Sequence, residues 1–368
     1  MENIKSFSKF WRGKKVFITG HTGFKGSWLS ILLNMLGAHI YGYSLKPEKN
    51  SLFLKANCKK FLKRNIYSDI NNRSKLEKEI IKSKPHIVFH LAAQPLVSQS
   101  FEEPLETLNT NIIGTCNVLE SLKRINSVRS VVIITTDKVY ANKNRKLSHT
   151  EEDMLGGTDP YSVSKVCAEY ITKSYIESFF KDKILKNKIS TARSGNVIGG
   201  GDYSKNRLLP DIIKSINSKK KLIIRNPKHI RPWQHVIEPT VGYLKLAKSQ
   251  YDKKLLHSNS SWNFGPDKKS FVRVIDIVNF IKKKINIKFS LSKNQSFFET
   301  KILMISNSKA KKYLNWYPIW DVNKSIDPMA KYKLKSKMKS INNRPRPTIG
   351  NINKITFFLY NVTLSHEL

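Results

Sequence analysis

An α/β fold on a doubly wound parallel sheet, with a smaller mixed α/β lobe, is predicted here from three observations. A short apolar strand runs directly into a glycine-rich turn and then a helix-period segment. Further short apolar strands alternate with helical or polar stretches. The residues able to do chemistry follow those strands at their carboxyl ends.

The first strand is Lys15-Val16-Phe17-Ile18-Thr19, which is β-branched and aromatic throughout its interior. It leads into Gly20-His21-Thr22-Gly23-Phe24-Lys25-Gly26, after which Trp28, Leu29, Leu32, Leu33 and Leu36 recur at helical spacing and Gly37 supplies a stop. Strand, glycine turn and helix in that order are what a Rossmann-type dinucleotide site needs. Gly20 allows the tight turn, Gly23 lets backbone N–H groups approach a pyrophosphate, and Gly26 allows close helix–strand packing, with the phosphates at the helix N-terminus. A three-glycine match alone also fits an ordinary βα turn; the flanking periodicities favour the dinucleotide. The runs Ile40–Tyr43, Ile87–Leu91, Val131–Ile134 and Ile189–Ala192 extend the parallel sheet. Ligands in such sheets lie beyond the strand carboxyl ends, where the glycine turn, Ala92-Ala93-Gln94 and Thr136-Asp137-Lys138 all fall.

Composition bounds the function. The chain has 368 residues and 40% apolar content, enough for a large core in two packed lobes or one large α/β unit. Cys58, Cys116 and Cys167 lie far apart with no metal-ligand spacing, so neither a disulfide framework nor a metal site is expected. No leader-like apolar segment opens the chain, and no apolar run approaches the roughly 18 to 20 residues needed to span a bilayer, which predicts a cytoplasmic protein with no membrane partner. The formal net charge of +39, from 66 basic and 27 acidic residues, is the competing signal, because it attracts polyanions without regard to sequence. The lysines are dispersed, through Lys59-Lys60, Lys219-Lys220-Lys221 and Lys282-Lys283-Lys284, and no nucleic-acid-binding motif is present, so the charge reads as solvated faces and no specific nucleic-acid partner is expected.

The runs VFITGHTGFKGSWLS, FHLAAQPLV, TTDKVY, DPYSVSK, SGNVIGGGD, IIRNPKHIRPWQHV and WNFGP, over roughly residues 8 to 325, resemble the extended short-chain dehydrogenases/reductases. Within them the chain is similar to the NAD-dependent nucleotide-sugar epimerase/dehydratase family, and most of all to its CDP-glucose 4,6-dehydratases. The resemblance implies a Rossmann domain over residues 8–195, with later segments returning to it, a nucleotide-sugar lobe over 196–325, and a divergent basic tail over 331–368. It implies a hydro-lyase that converts CDP-glucose to CDP-4-dehydro-6-deoxyglucose by C4 oxidation, loss of water across C5/C6 and hydride return to C6. A cytoplasmic homodimer in deoxysugar biosynthesis, such as that of lipopolysaccharide O-antigen, goes with it. The alternatives are another nucleotide-sugar dehydratase or epimerase, and a catalytically weakened basic binding protein on the same scaffold.

Residue by residue, Tyr161 and Lys165 sit four apart after Pro160, hence on one face of a predicted helix. Tyr161 is expected to take the sugar hydroxyl proton once the charges of Lys165 and oxidised nicotinamide lower its pKa from about 10. Asp137 is the expected acid at C6. Lys138 is either the base at C5, if its pKa falls from about 10.4 toward neutrality, or a cation that stabilises the enolate. The resemblance assigns Thr136 to the sugar C4 oxygen and Asn111 to a structural role beside the active-site lysine. Cofactor contacts are expected from Gly20, Thr22, Gly23, Phe24, Gly26, Asp69, Ile70, Ala92, Ala93, Gln94, Tyr161 and Lys165. Substrate contacts are expected from Gln94, Asn196, Arg207 and Arg231, the arginine forks suiting a diphosphate; His235 is read as packing. Two departures stand out. The second strand ends in Tyr43-Ser44-Leu45-Lys46-Pro47 without the acidic residue that commonly binds the NAD ribose, which leaves NADP open beside NAD. After Trp316-Tyr317-Pro318 the expected amphipathic helix is interrupted by Asp327-Pro328-Met329.

Overall fold

The computed structural model describes residues 4–142, 144, 146–180, 185, 188–252, 260–292 and 299–327. The basic tail therefore lies outside the described residues. Seven parallel strands form the central sheet: β1 (Lys15–Thr19), β2 (His39–Ser44), β3 (Leu62–Tyr67), β4 (Ile87–His90), β5 (Ser130–Ile134), β6 (Ile189–Ser194) and, after four short strands of the second lobe, β11 (Trp262–Phe264). Their order is β11-β6-β5-β4-β1-β2-β3, so the chain leaves β1 toward one edge and restarts at β4 toward the other. The switch point lies between β1 and β4, and the ligand crevice of a doubly wound sheet opens there.

Alternation along each strand explains why both faces are buried. Val16 and Ile18 of β1, Ile87 and Phe89 of β4, and Val132 and Ile134 of β5 join one apolar cluster, with Leu29, Leu32, Trp262 and Trp316. Phe17, Val88, Val131 and Ile133 point the other way into a second cluster with Leu76, Val118 and Ile189. Helices on both faces thus turn continuous apolar runs into parallel strands. β3 and β11 lie outside the strands expected from sequence. β3 is an edge strand carrying Lys63 and Arg64, and β11 has only three residues, so neither offers an apolar run long enough to read.

The second lobe gathers β7 (Val197–Ile198), β8 (Leu222–Ile224), β9 (Ile230–Pro232), β10 (Gln234–His235), β12 (Phe271–Arg273) and β13 (Phe289–Leu291) into three two-stranded pieces. Ile198, Ile212, Leu222, Ile224, Trp233 and Ile281 give it an apolar cluster of its own. Glu238, in the helix Ile237–Tyr251, ties the segment after Pro318 back: its carboxylate accepts the backbone N–H of Ile319 at 3.1 Å and of Trp320 at 2.8 Å. Burial pushes this carboxyl up to about 8.

Candidate active site

The glycine turn is built as its sequence demands. Gly20 has φ +75°, and a Cβ there would stand 2.6 Å from the backbone nitrogen of Ala92; one on Gly26 would stand 2.1 Å from the Gly20 carbonyl oxygen. Only glycine permits either approach. Thr19 Oγ1 accepts the Ala92 N–H at 3.2 Å and meets His90 Nδ1 at 2.7 Å, so the segment after β4 is fixed over the turn. Gly23 caps the helix Phe24–Met35 without a side-chain bond, which leaves the amino end of that helix open toward the cavity. Thr22 Oγ1 bonds Ser44 Oγ at 2.7 Å and the Leu45 carbonyl at 3.0 Å, linking the turn to the end of β2.

This cradle opens into a cavity of about 780 Å³ that runs between the sheet and the second lobe. Gly20, Thr22, Gly23, Phe24, Gly26, Asp69, Ile70, Ala92 and Ala93 line one part of it. Thr136, Asp137, Lys138, Tyr161, Lys165, Asn196, Arg207 and Arg231 are among the other residues that line it. Gln94 is the exception among the expected contacts. Its amide nitrogen donates to Leu96 O at 3.0 Å and Thr107 Oγ1 at 2.7 Å, and its oxygen accepts the Leu96 N–H at 2.6 Å. Both amide N–H groups of Gln94 are thus engaged within the protein, and its side chain does not line the cavity. Asn111 is structural as expected, donating to Gln94 O at 3.1 Å and Ser164 Oγ at 2.8 Å and so joining the post-β4 loop to the helix that carries Tyr161.

That helix, Pro160–Tyr175, starts where the sequence says: Pro160 occupies its first turn and Asp159 Oδ1 caps the Ser162 N–H at 2.9 Å. Tyr161 and Lys165 fall on one face, and Thr136 stands beside the Tyr161 hydroxyl. Lys165 Nζ donates to Ile134 O at 3.3 Å, and burial lowers its pKa to about 8. Burial pushes Tyr161 the other way, up to about 12. The lowering foreseen for Tyr161 thus falls to the charge that a ligand brings, since its protein surroundings mainly disfavour the phenolate.

Asp137 is only 2% exposed; Thr136 Oγ1 donates to its Oδ1 at 3.2 Å, while Oδ2 has no partner. Burial raises its pKa against the opposing pull of Lys138, Arg231, Thr136 and Lys25, which favours a carboxyl that holds a proton. Lys138 Nζ lies 3.2 Å from Glu299 Oε1, and Arg231, 3% exposed, brings Nη2 to 3.2 Å from the same oxygen. The two cations hold the Glu299 carboxyl far below the usual carboxylate range. Arg231 is therefore already ion-paired, and Arg207 is paired with Asp202 at 3.2 Å. Glu299 was not foreseen. Its signal in the sequence is that it is the sole acidic residue between Asp276 and Asp321, inside a lysine-rich stretch. His235 packs its ring against Trp28 and Trp320, as expected of it.

A glycine cradle at a sheet switch point, continuous with a Thr-Asp-Lys turn and a Tyr/Lys helix, is a combination that known sequences share. The sequence pattern of the GDP-mannose 4,6-dehydratase family matches residues 17–329. The chain belongs to this family. The CDP-glucose 4,6-dehydratase of Salmonella typhimurium is 41% identical to it over 330 residues, 88% of this chain and 91% of that protein. Among solved structures, the UDP-glucuronic acid 4-epimerase of Bacillus cereus matches with a TM-score of 0.72 at 21% identity, covering 87% of this chain and 99% of that one. The dTDP-glucose 4,6-dehydratase of Bacillus anthracis matches with a TM-score of 0.72 at 20% identity, covering 89% and 98% respectively. These likenesses establish the extended short-chain dehydrogenase/reductase fold. Among the described residues no His/Cys/Asp/Glu group is arranged to hold a metal, and no helix is long and apolar enough to cross a membrane.

Proposed function

We propose that this protein is a CDP-glucose 4,6-dehydratase that forms CDP-4-dehydro-6-deoxyglucose and carries its own NAD. The observation that supports it best is the Thr136-Asp137-Lys138 turn, where a buried carboxyl with a free oxygen shares one cavity with Tyr161 and Lys165. Simple epimerisation at C4 has no need of an acid there. The relative at 41% identity supplies the choice of nucleotide sugar.

The cradle fits a dinucleotide, because the close backbone approaches at Gly20 and Gly26, which any Cβ would block, hold the turn tight while the amino end of the following helix stays open to a pyrophosphate. Gly20 to Gly26, Asp69, Ile70, Ala92 and Ala93 would hold it. NAD, which both solved relatives carry, supplies a hydride acceptor for C4 and the donor that returns the hydride to C6. Tyr161 takes the C4 hydroxyl proton, with Thr136 orienting the oxygen and Lys165 keeping the cavity positive. The C4 ketone acidifies C5. Asp137, whose burial raises its pKa, is placed to give a proton to the departing C6 oxygen. Lys138, 3.2 Å from Glu299, is the residue placed for C5: as an amine it accepts the proton that C5 loses, and the ammonium so formed stabilises the enolate. A homodimer in the cytoplasm that serves deoxysugar biosynthesis, such as that of lipopolysaccharide O-antigen, completes the proposal.

The test is to incubate purified protein with CDP-, dTDP-, UDP- and GDP-glucose and follow the 4-keto product. Product from CDP-glucose alone, without stoichiometric NADH release, is the expected result. Product from another nucleotide, or steady NADH accumulation, overturns the assignment.

A further inference from the structure

A buried ion pair that the proposed chemistry does not use stands behind the Thr136-Asp137-Lys138 turn. Glu169 lies one helical turn beyond Lys165 on the helix Pro160–Tyr175, and Arg193 belongs to β6; they are 5% and 2% exposed. The guanidinium grips the carboxylate with two parallel bonds, Nε to Oε1 and Nη2 to Oε2, each 2.9 Å long. Neither residue lines the cavity, so neither meets sugar or dinucleotide. What they hold instead is the turn, at both of its ends. On the amino side Thr135 Oγ1 donates to Glu169 Oε1 at 2.6 Å, turning its hydroxyl to the ion pair although the residue borders the cavity. On the carboxyl side Arg193 Nη1 donates to the Tyr140 hydroxyl at 2.9 Å, and that hydroxyl donates to Asn263 Oδ1 of β11 at 2.7 Å. Tyr140 is itself buried and away from the cavity.

We propose that the Arg193–Glu169 pair is a positioning clamp for the acid–base turn: it fixes Asp137 and Lys138 against the helix that carries Tyr161 and Lys165, so that a sugar held for oxidation at C4 is already aligned for loss of water across C5 and C6. The inference rests on the dehydratase reading above. A buried ion pair adds little net stability, because desolvation of the charges offsets their attraction. Its bonds are directional, however, and fix where their partners stand in a way that apolar packing does not. Inside the turn the restraints are weak, the Lys138 N–H reaching Thr136 Oγ1 at 3.4 Å, so the two anchored ends set its place. A reacting group misplaced by about 1 Å can cost roughly 10²-fold in rate. Oxidation draws on Tyr161, which the clamped helix carries, whereas elimination draws on Asp137 and Lys138, which the turn carries. Loosening the clamp therefore slows the second step more than the first.

Two substitutions that keep side-chain shape test this. Thr135→Val removes one bond to Glu169, and Tyr140→Phe removes the hydroxyl shared by Arg193 and Asn263. The whole protein is mixed with the nucleotide-glucose that the wild type turns over, and bound NADH, 4-keto-6-deoxy product, kcat and KM are followed. Each variant is expected to lose about tenfold in kcat with KM unchanged, and to accumulate bound NADH in a single turnover. Replacing the pair outright, with Glu169→Leu and Arg193→Met together, is expected to cost about 10²-fold in kcat while Tm moves by only a few degrees. Should that double variant fail to fold, the two single variants decide. Wild-type kcat in both of them overturns the clamp, as does a lowered Tm with kcat per folded molecule unchanged, which marks a merely structural pair. A lowered kcat without bound NADH overturns it too, since the defect would then lie in oxidation. If the wild type turns over no nucleotide-glucose at all, the dehydratase reading falls and the clamp with it, an outcome distinct from an active wild type with unaffected variants.

Discussion

The turn after β1 and the turn after β5 face the same cavity, yet they are held by different means. The glycine turn is set by its own backbone and by one segment, Ala92, fixed through Thr19 and His90. The Asp137-Lys138 turn is set by charges drawn from far along the chain, Arg231 and Glu299, in the second lobe. A backbone cradle tolerates almost no change of side-chain volume. A charge cluster tolerates changes of shape better than changes of charge, and the two halves of the site should therefore fail in different ways.

The largest effect is expected at the junction. Tyr161→Phe should leave dinucleotide binding intact and remove the first hydride transfer, so that CDP-glucose produces no reduced-nicotinamide absorbance and turnover falls about 10²- to 10⁴-fold. A variant that still reduced its cofactor on mixing would show that Tyr161 is not the C4 base. One step smaller, Lys138→Met and Lys138→Arg sharpen the comparison. If Lys138 acts as a cation, the arginine should keep dehydration within about tenfold of wild type while the methionine stalls with bound NADH, as loss of an electrostatic stabiliser typically costs about 10²- to 10³-fold. Equal loss in both would instead make Lys138 the proton acceptor, because a guanidinium stays charged.

Glu299→Gln keeps the shape and removes the charge that gathers Lys138 and Arg231. Dehydration is expected to slow by about tenfold, with affinity for the dinucleotide unchanged; weakened NAD binding would mean that the two sides are not separable. The smallest effect is on stability. Because burial raises Glu238 to about 8 from an ordinary value near 4.5, the folded chain holds a proton that the unfolded chain releases. Its stabilising contribution is full below the unfolded value and is lost as pH rises through the folded one. Glu238→Gln, which stays neutral, should raise Tm at pH 8 by a few degrees and change it little near pH 4.5; equal melting shifts at both pH values would contradict this account.

The same contrast decides what the sequence discloses. β1, its glycine turn, the helix after it and the start of the Tyr161 helix are legible because each is specified by neighbours: apolar alternation, positive φ at Gly20, Pro160 and the Asp159 cap. Strands β3 and β11 are not, since an edge strand with lysine and arginine and a three-residue strand take their identity from the partners they pair with. The partners of Gln94 are hidden for the same reason. Its position after β4 is right, but the loop's own N–H and carbonyl groups claim its amide. Glu299 belongs to no motif, and only tertiary closure reveals what its charge is for.

The pairing of Lys138 with Glu299 spans 161 residues of chain, and this has a consequence for the order of assembly. Contacts that make the cofactor cradle lie within the first hundred residues, whereas the counter-charge for the proton-transfer end arrives only when the second lobe has closed. Long loops close late. A refolding chain should therefore recognise dinucleotide before it can process sugar, and the bound cofactor would draw the early half toward its folded form by mass action. Hydrogen exchange during refolding should register this as protection of β1 and β4 ahead of β8 and β13.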